Sequence, residues 1–213
     1  IRIDMFSTTG NTEITKTTSW KVVLPFYGYA AISFLIANIL LLLSSSDVTT
    51  HYFLPHTLAI THIMALGWGT MMILGASHQL VPVLIEGELY SNKLAYVSFT
   101  LAALGIPFLI YGFYVFDMGL HTQCGGILII LAIIIYLINL AVSMVKSNHE
   151  SVHAFFIFTA AIWLLATTIV GLLLLYNFTE PLLPKSSLDY LPLHAHIGIV
   201  GWFLLLVMGV GSR

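Results

Sequence analysis

The chain has 213 residues, 59% of them hydrophobic and only 8% charged, against a charged share of about 25% in soluble domains. So few charges cannot cover a water-exposed surface, so the surrounding medium is lipid. With seven Lys plus Arg against nine Asp plus Glu, no nucleic-acid partner is expected.

Residues 1–21 are polar and lack the basic-then-apolar order of a signal peptide, so they read as an N-terminal segment outside the membrane. Beyond them the charges fall in clumps, at Asp47, at Glu86, Glu88 and Lys93, at Asp117, and from Lys146 to Glu150. The gaps between the clumps predict spans near 22–45, 56–84, 94–116, 122–145, 152–176 and 191–213. Each is long enough for the roughly 20 apolar residues that a bilayer helix requires. Residues 127–137 are apolar all round, which excludes the alternation of a membrane β-strand. The expected fold class is therefore all-α, a polytopic transmembrane helix bundle, with one domain over 22–213.

Six spans put Arg2, Lys16, Lys21, Lys93, Lys146 and Arg213 on one side of the membrane and Lys185 on the other. The basic side faces the cytoplasm, which predicts a multi-pass protein of the cytoplasmic membrane with its N-terminus inside. Cys124, the single cysteine, cannot form an internal disulfide and reads as a small packing residue. Asn177-Phe178-Thr179 matches a glycosylation sequon at a membrane edge. The chain starts at Ile1 and stops at Arg213 directly after an unbroken apolar run, which predicts a longer protein truncated at 213.

A repeat lies inside the apolar runs. Residues 61–79 align without gaps on 195–213, matching His62 with His196, Ile63 with Ile197, Gly67 with Gly201, Trp68 with Trp202 and Gly75 with Gly209. A weaker echo joins Ala30-Ala31-Ile32 to Ala160-Ala161-Ile162. The repeat advances by four spans, so both copies point the same way across the membrane, unlike the inverted repeats of many transporters. Gly67, Gly69, Gly75, Gly198, Gly201 and Gly209 predict close helix packing or room for a flat macrocycle. Trp68 and Trp202 read as packing residues.

Nine histidines in such a chain form the other signal. His62 lies roughly 9 Å into its span at 1.5 Å per residue. An imidazole at that depth needs a partner, either a neighbouring helix or a haem iron, for which neutral imidazole nitrogen is suited. Its repetition as His196 favours ligation. His194 and His196 form an H-x-H pair about 200° apart around an α-helix, so their rings are expected on opposite faces, each serving a different cofactor. His78 follows about 24 Å further along the second span, with a phase of roughly 160° from His62, and reads as structural or proton-related. His149 and His153 are expected to be solvated. His51 and His56 are left open between solvation and support of a site.

His62 followed by Met71-Met72 and Gln79-Leu80-Val81-Pro82 resembles the second helix of subunit I of haem–copper oxidases. In that helix an outer His ligates the low-spin haem and a Leu-Val-Pro follows at the inner end. His194-Ala195-His196 with Gly198 is similar to the H-x-H helix of the same family, in which one His serves each of two haems. The resemblance implies a twelve-helix fold of three four-helix arcs, with the second, sixth and tenth helices related by a pseudo-threefold axis and this chain as the first half. Here the H-x-H falls on the sixth span, no Tyr follows His196 in it, and there is no His-His pair. The pattern is closer to the divergent members, the cbb-type oxidases and the haem-and-copper membrane proteins of the nitric-oxide response.

From that resemblance, His62 and His196 are expected to ligate haem of the b type and His194 a metal, with copper a further candidate. Electron transfer to a small diatomic, oxygen or nitric oxide, is the implied oxidoreductase activity. Cytochrome c or quinol is the implied donor, beside other membrane subunits and the lipid. The alternatives are a non-catalytic haem or copper carrier, sensor or assembly factor on the same scaffold, a His-lined channel or transporter, and a b-type cytochrome bundle.

Overall fold

The structure is a computed structural model that describes residues 18–147 and 151–211. Among them there is no β-strand, and six helices are long and apolar enough to cross a membrane. They are numbered α1 (Trp20–Leu43), α2 (Pro55–Leu84), α3 (Asn92–Val115), α4 (Leu120–Lys146), α5 (Val152–Thr179) and α6 (Ser187–Gly211). The chain is therefore a multi-pass, all-helical bundle with its outer surface in lipid. The helix ends fall within four residues of those read from the charge gaps; residues 212 and 213 of the last predicted span, and Arg2, Lys16, His149 and Arg213, lie outside the described residues.

Local chemistry sets the ends. α1, α3 and α5 each begin after a serine whose hydroxyl accepts from a backbone N–H in the first turn: Ser19 from Lys21, Ser91 from Leu94 and Ser151 from Ala154. Those acceptors satisfy donors that the helix cannot satisfy itself. The end of the bundle where these three helices start is called the inner end below. α1 stops at Ser44, and a short helix, Ser45–Thr50, follows in the outer loop. In the other long outer loop, Asn177 donates to the Lys185 carbonyl and the Ser187 hydroxyl, each at 3.1 Å, and accepts from Leu183 N–H at 2.7 Å. The sequon asparagine thus holds its own loop together.

The repeat is also a repeat of packing. α1 lies on α2 as α5 lies on α6. A Cβ at Gly67 would stand 2.8 Å from Ser33 Cβ, and one at Gly201 would stand 2.8 Å from the Trp163 ring. One turn or two further in, a Cβ at Gly75 would meet Phe26 Cβ at 2.9 Å and one at Gly209 would meet Phe156 Cβ at 2.6 Å. Ser33 and Trp163, like Phe26 and Phe156, stand as far apart in sequence as Ala30 and Ala160. Close packing is what these glycines do. α3 and α4 approach in the same way, with a Cβ at Gly105 falling 2.8 Å from the Gly125 carbonyl. α6 is the least buried of the six spans.

Both repeat helices carry the same irregularity. After His62 and after His196 the backbone switches to π-helix for eight residues, Ile63–Thr70 and Ile197–Leu204, before returning to α-helix. In the first, the Thr70 hydroxyl donates to the Ala65 carbonyl five residues back at 2.9 Å. π segments of this kind collect at functional sites.

Candidate functional site

At the outer half of the bundle His62 on α2 meets His194 on α6. Their ring centroids are 6.4 Å apart and the ring planes differ by 17°. Nδ1 of His62 donates to the Leu58 carbonyl at 2.8 Å. A carbonyl only accepts, so the proton sits on Nδ1 and Nε2 keeps a lone pair. The ring also rests on Phe113 of α3, centroid to centroid 4.5 Å.

His194 reaches this place because α5 is small opposite it. A Cβ at Gly171 would lie 3.0 Å from His194 Cε1, so any larger residue there would press on the ring. Nδ1 of His194 is buried without a hydrogen-bond partner. Such an atom in a bundle interior is costly to leave unmet.

His196 is on the other side of the same helix. It is exposed, and its Nδ1 donates to the Pro192 carbonyl at 2.7 Å, the same four-residue back-bond that His62 makes. The segment Leu191–His196 is regular α-helix, so the expected divergence of the two H-x-H rings is realised: His194 turns inward and His196 outward. Of the three predicted ligands, His62 and His194 come together and His196 stands apart. The local equivalence of His62 with His196 does not make them partners: His62 lies against His194, and His196 is exposed.

The remaining histidines have other surroundings. His56 forms a 2.5 Å contact with Asp47 and lies 4.5 Å from the Tyr114 ring, which ties the outer loop to the start of α2. His51 Nδ1 accepts from Phe53 N–H at 3.1 Å in a local turn. His153 was expected in solvent, but its Nδ1 donates to the Gly209 carbonyl at 3.2 Å and so joins α5 to α6. His78 is turned into the bundle, 1% exposed, against Phe26 of α1 and Tyr136 of α4, whereas His62 rests on α3 and α6.

Sequence reasoning missed Gly171, whose role is visible only across helices. It also missed a rim of three aromatic rings. Phe53, just before α2, Phe116, just after α3, and Phe178, near the end of α5, lie within 6.4 Å of one another by centroid. Trp68 packs on Phe34 at 5.1 Å, as a packing residue should. Cys124 is exposed. Among the described residues no three His, Cys, Asp or Glu side chains gather as a metal-binding group. What the site offers is two imidazoles. Comparison with family models, with curated proteins and with solved structures gives no match.

Proposed function

We propose that the chain is a haem-binding membrane protein of electron transfer, in which His62 of α2 and His194 of α6 would together hold a b-type haem. The observation that carries this reading is the facing pair itself. Two metal–imidazole bonds of about 2 Å each, with the half-widths of two rings, add to roughly 6 Å, and the centroids are 6.4 Å apart. Each ring also has an uncommitted nitrogen, Nε2 of His62 by its tautomer and Nδ1 of His194 by its lack of a partner.

A bound haem supplies reversible one-electron chemistry. The chain's own residues do the rest. The Leu58 carbonyl fixes the tautomer and angle of His62, as outer hydrogen bonds do for metal-ligating histidines. Gly171 leaves the space that His194 fills, and Phe113 closes one side of His62. The rim of Phe53, Phe116 and Phe178 limits water at the outer end.

His196, exposed on the far face of α6, would serve a second haem or metal completed by helices packed on that face. An imidazole open to hydrocarbon is costly, which favours such a cover. Copper would draw its further ligands from outside the described residues. Oxygen or nitric oxide reduction at that second centre, with cytochrome c or quinol as donor, and an N-terminus in the cytoplasm complete the reading. Spectra of the purified chain, oxidised and reduced, test it. His62→Ala and His194→Ala should each remove the low-spin haem signal, while His196→Ala leaves it. Absence of haem, or a spectrum indifferent to His62 and His194, overturns the reading.

A further inference from the structure

The inner half of the bundle holds a second imidazole that the haem reading does not use. His78 lies between Phe26 of α1 and Tyr136 of α4, with ring centroids 5.2 Å away on each side. Its Nδ1 donates to the Leu74 carbonyl at 2.7 Å, which leaves the lone pair on Nε2. That nitrogen is buried and has no partner. Hydroxyls stand beside it in sequence and across the interface: Tyr136 donates to Ser77 Oγ at 2.8 Å, and Ser77 to the Leu74 carbonyl at 3.0 Å.

Tyr136 begins a polar stripe. Tyr136, Asn139 and Ser143 follow one another at helical spacing on one face of α4, all within 4% exposure inside an apolar span. Seven residues cover about 10 Å of helix. Asn139 holds both the N–H and the carbonyl of Ser91, and Ser143 accepts from Tyr90 N–H at 2.9 Å. Ser143 also lines an open pocket of about 310 Å³ at the inner end, with Glu88, Tyr90, Lys146 and Ser147. Polar groups thus run from that pocket to the side of His78.

We infer that this stripe carries water from the inner-end pocket to Nε2 of His78, where an ordered water completes the imidazole's hydrogen bonding. A buried water needs two to four polar partners; Nε2 and the hydroxyl oxygens of Ser77 and Tyr136 all accept, so a water gives one proton to Nε2 and the other to one of the hydroxyls. An imidazole bonded to such a water exchanges its protons with the inner solution, and Tyr136 is the other titratable side chain against the ring.

Magnetisation transfer from water to histidine side chains tests this, read by solid-state NMR on the full chain in lipid bilayers with only its histidines labelled. His78, though buried, should receive magnetisation from water as exposed His51 does. In a Ser77→Ala, Tyr136→Phe double variant only Nε2 remains to hold water, so transfer to His78 should be lost while His51 and His62 keep their signals. No transfer to His78 in the unaltered chain overturns the inference, and so does its persistence in the double variant. If the double variant folds poorly, the unaltered chain decides alone, since a dry His78 shows no transfer.

Discussion

Gly171→Val tests the His62–His194 pair without altering either ring. The first added carbon would stand 3.0 Å from His194 Cε1, 3.6 Å from Nδ1 and 3.7 Å from Nε2. All three of the nearest atoms belong to the imidazole, so the added bulk should displace the His194 ring from the place where it faces His62. Overpacking of this kind costs about 1–3 kcal/mol. If the ring bears that cost on ligation, haem affinity falls roughly five- to 150-fold, at 1.4 kcal/mol per factor of ten. Gly171→Ala is the graded control. It makes the same tight Cβ contact, but gains up to about 1 kcal/mol of helix propensity. It should therefore keep the stability of the helix while weakening haem retention slightly. The assay is titration of haem into the purified chain, followed by the low-spin band, beside a thermal melt. Haem affinity in Gly171→Val equal to that of the unaltered chain would refute the reasoning, because it would mean that the ligand does not depend on where the His194 ring rests.

Two further outcomes follow from the same geometry. Gly75→Leu and Gly209→Leu should each lower stability in detergent melts by about 1–3 kcal/mol, because their Cβ atoms would fall 2.9 and 2.6 Å from phenylalanine Cβ atoms; Gly28→Leu, with nothing within 4 Å, should be near neutral. If Gly28→Leu costs as much as the other two, the packing repeat does not explain the glycines. A topology reporter placed between α2 and α3 should behave as cytoplasmic, and one between α5 and α6 as external, by the bias of basic residues; the reverse result would refute the orientation.

Much of the fold was open to a reading of the chain alone, for a physical reason. Charges are expelled from hydrocarbon, so Asp47, Glu86, Asp117 and Lys146 mark the span ends whatever the helices do inside. The repeat was legible because packing in lipid depends on small residues at fixed positions, and Gly67, Gly75, Gly201 and Gly209 do pack in matched ways. His62, His194 and His196 stood out in the sequence. That His194 rather than His196 comes to face His62 was not legible, since it depends on how α2 and α6 are set against each other and on the space that Gly171 of a third helix leaves. The stripe of Tyr136, Asn139 and Ser143 has its signal in plain view, three polar residues at helical spacing in an apolar span, but its partners Ser77, Tyr90 and Ser91 come from other segments and only the fold brings them to it.

His78 shows where phase counting stops. Between His62 and His78 the count assumes about 100° per residue without interruption, and eight of those residues are π-helix. Within Leu191–His196, where the backbone is plain α-helix, the same count places His194 and His196 on different faces, as found. Both π stretches begin directly after a histidine that back-bonds to the fourth residue before it. The histidine is thus held at the last regular turn, and the looser winding follows below it. Each repeat helix keeps its outer imidazole fixed by a bond within its own last regular turn. In α2 the outer imidazole, His62, rests on α3 and α6, and the inner one, His78, on α1 and α4 beside Tyr136, so one helix serves two different parts of the bundle.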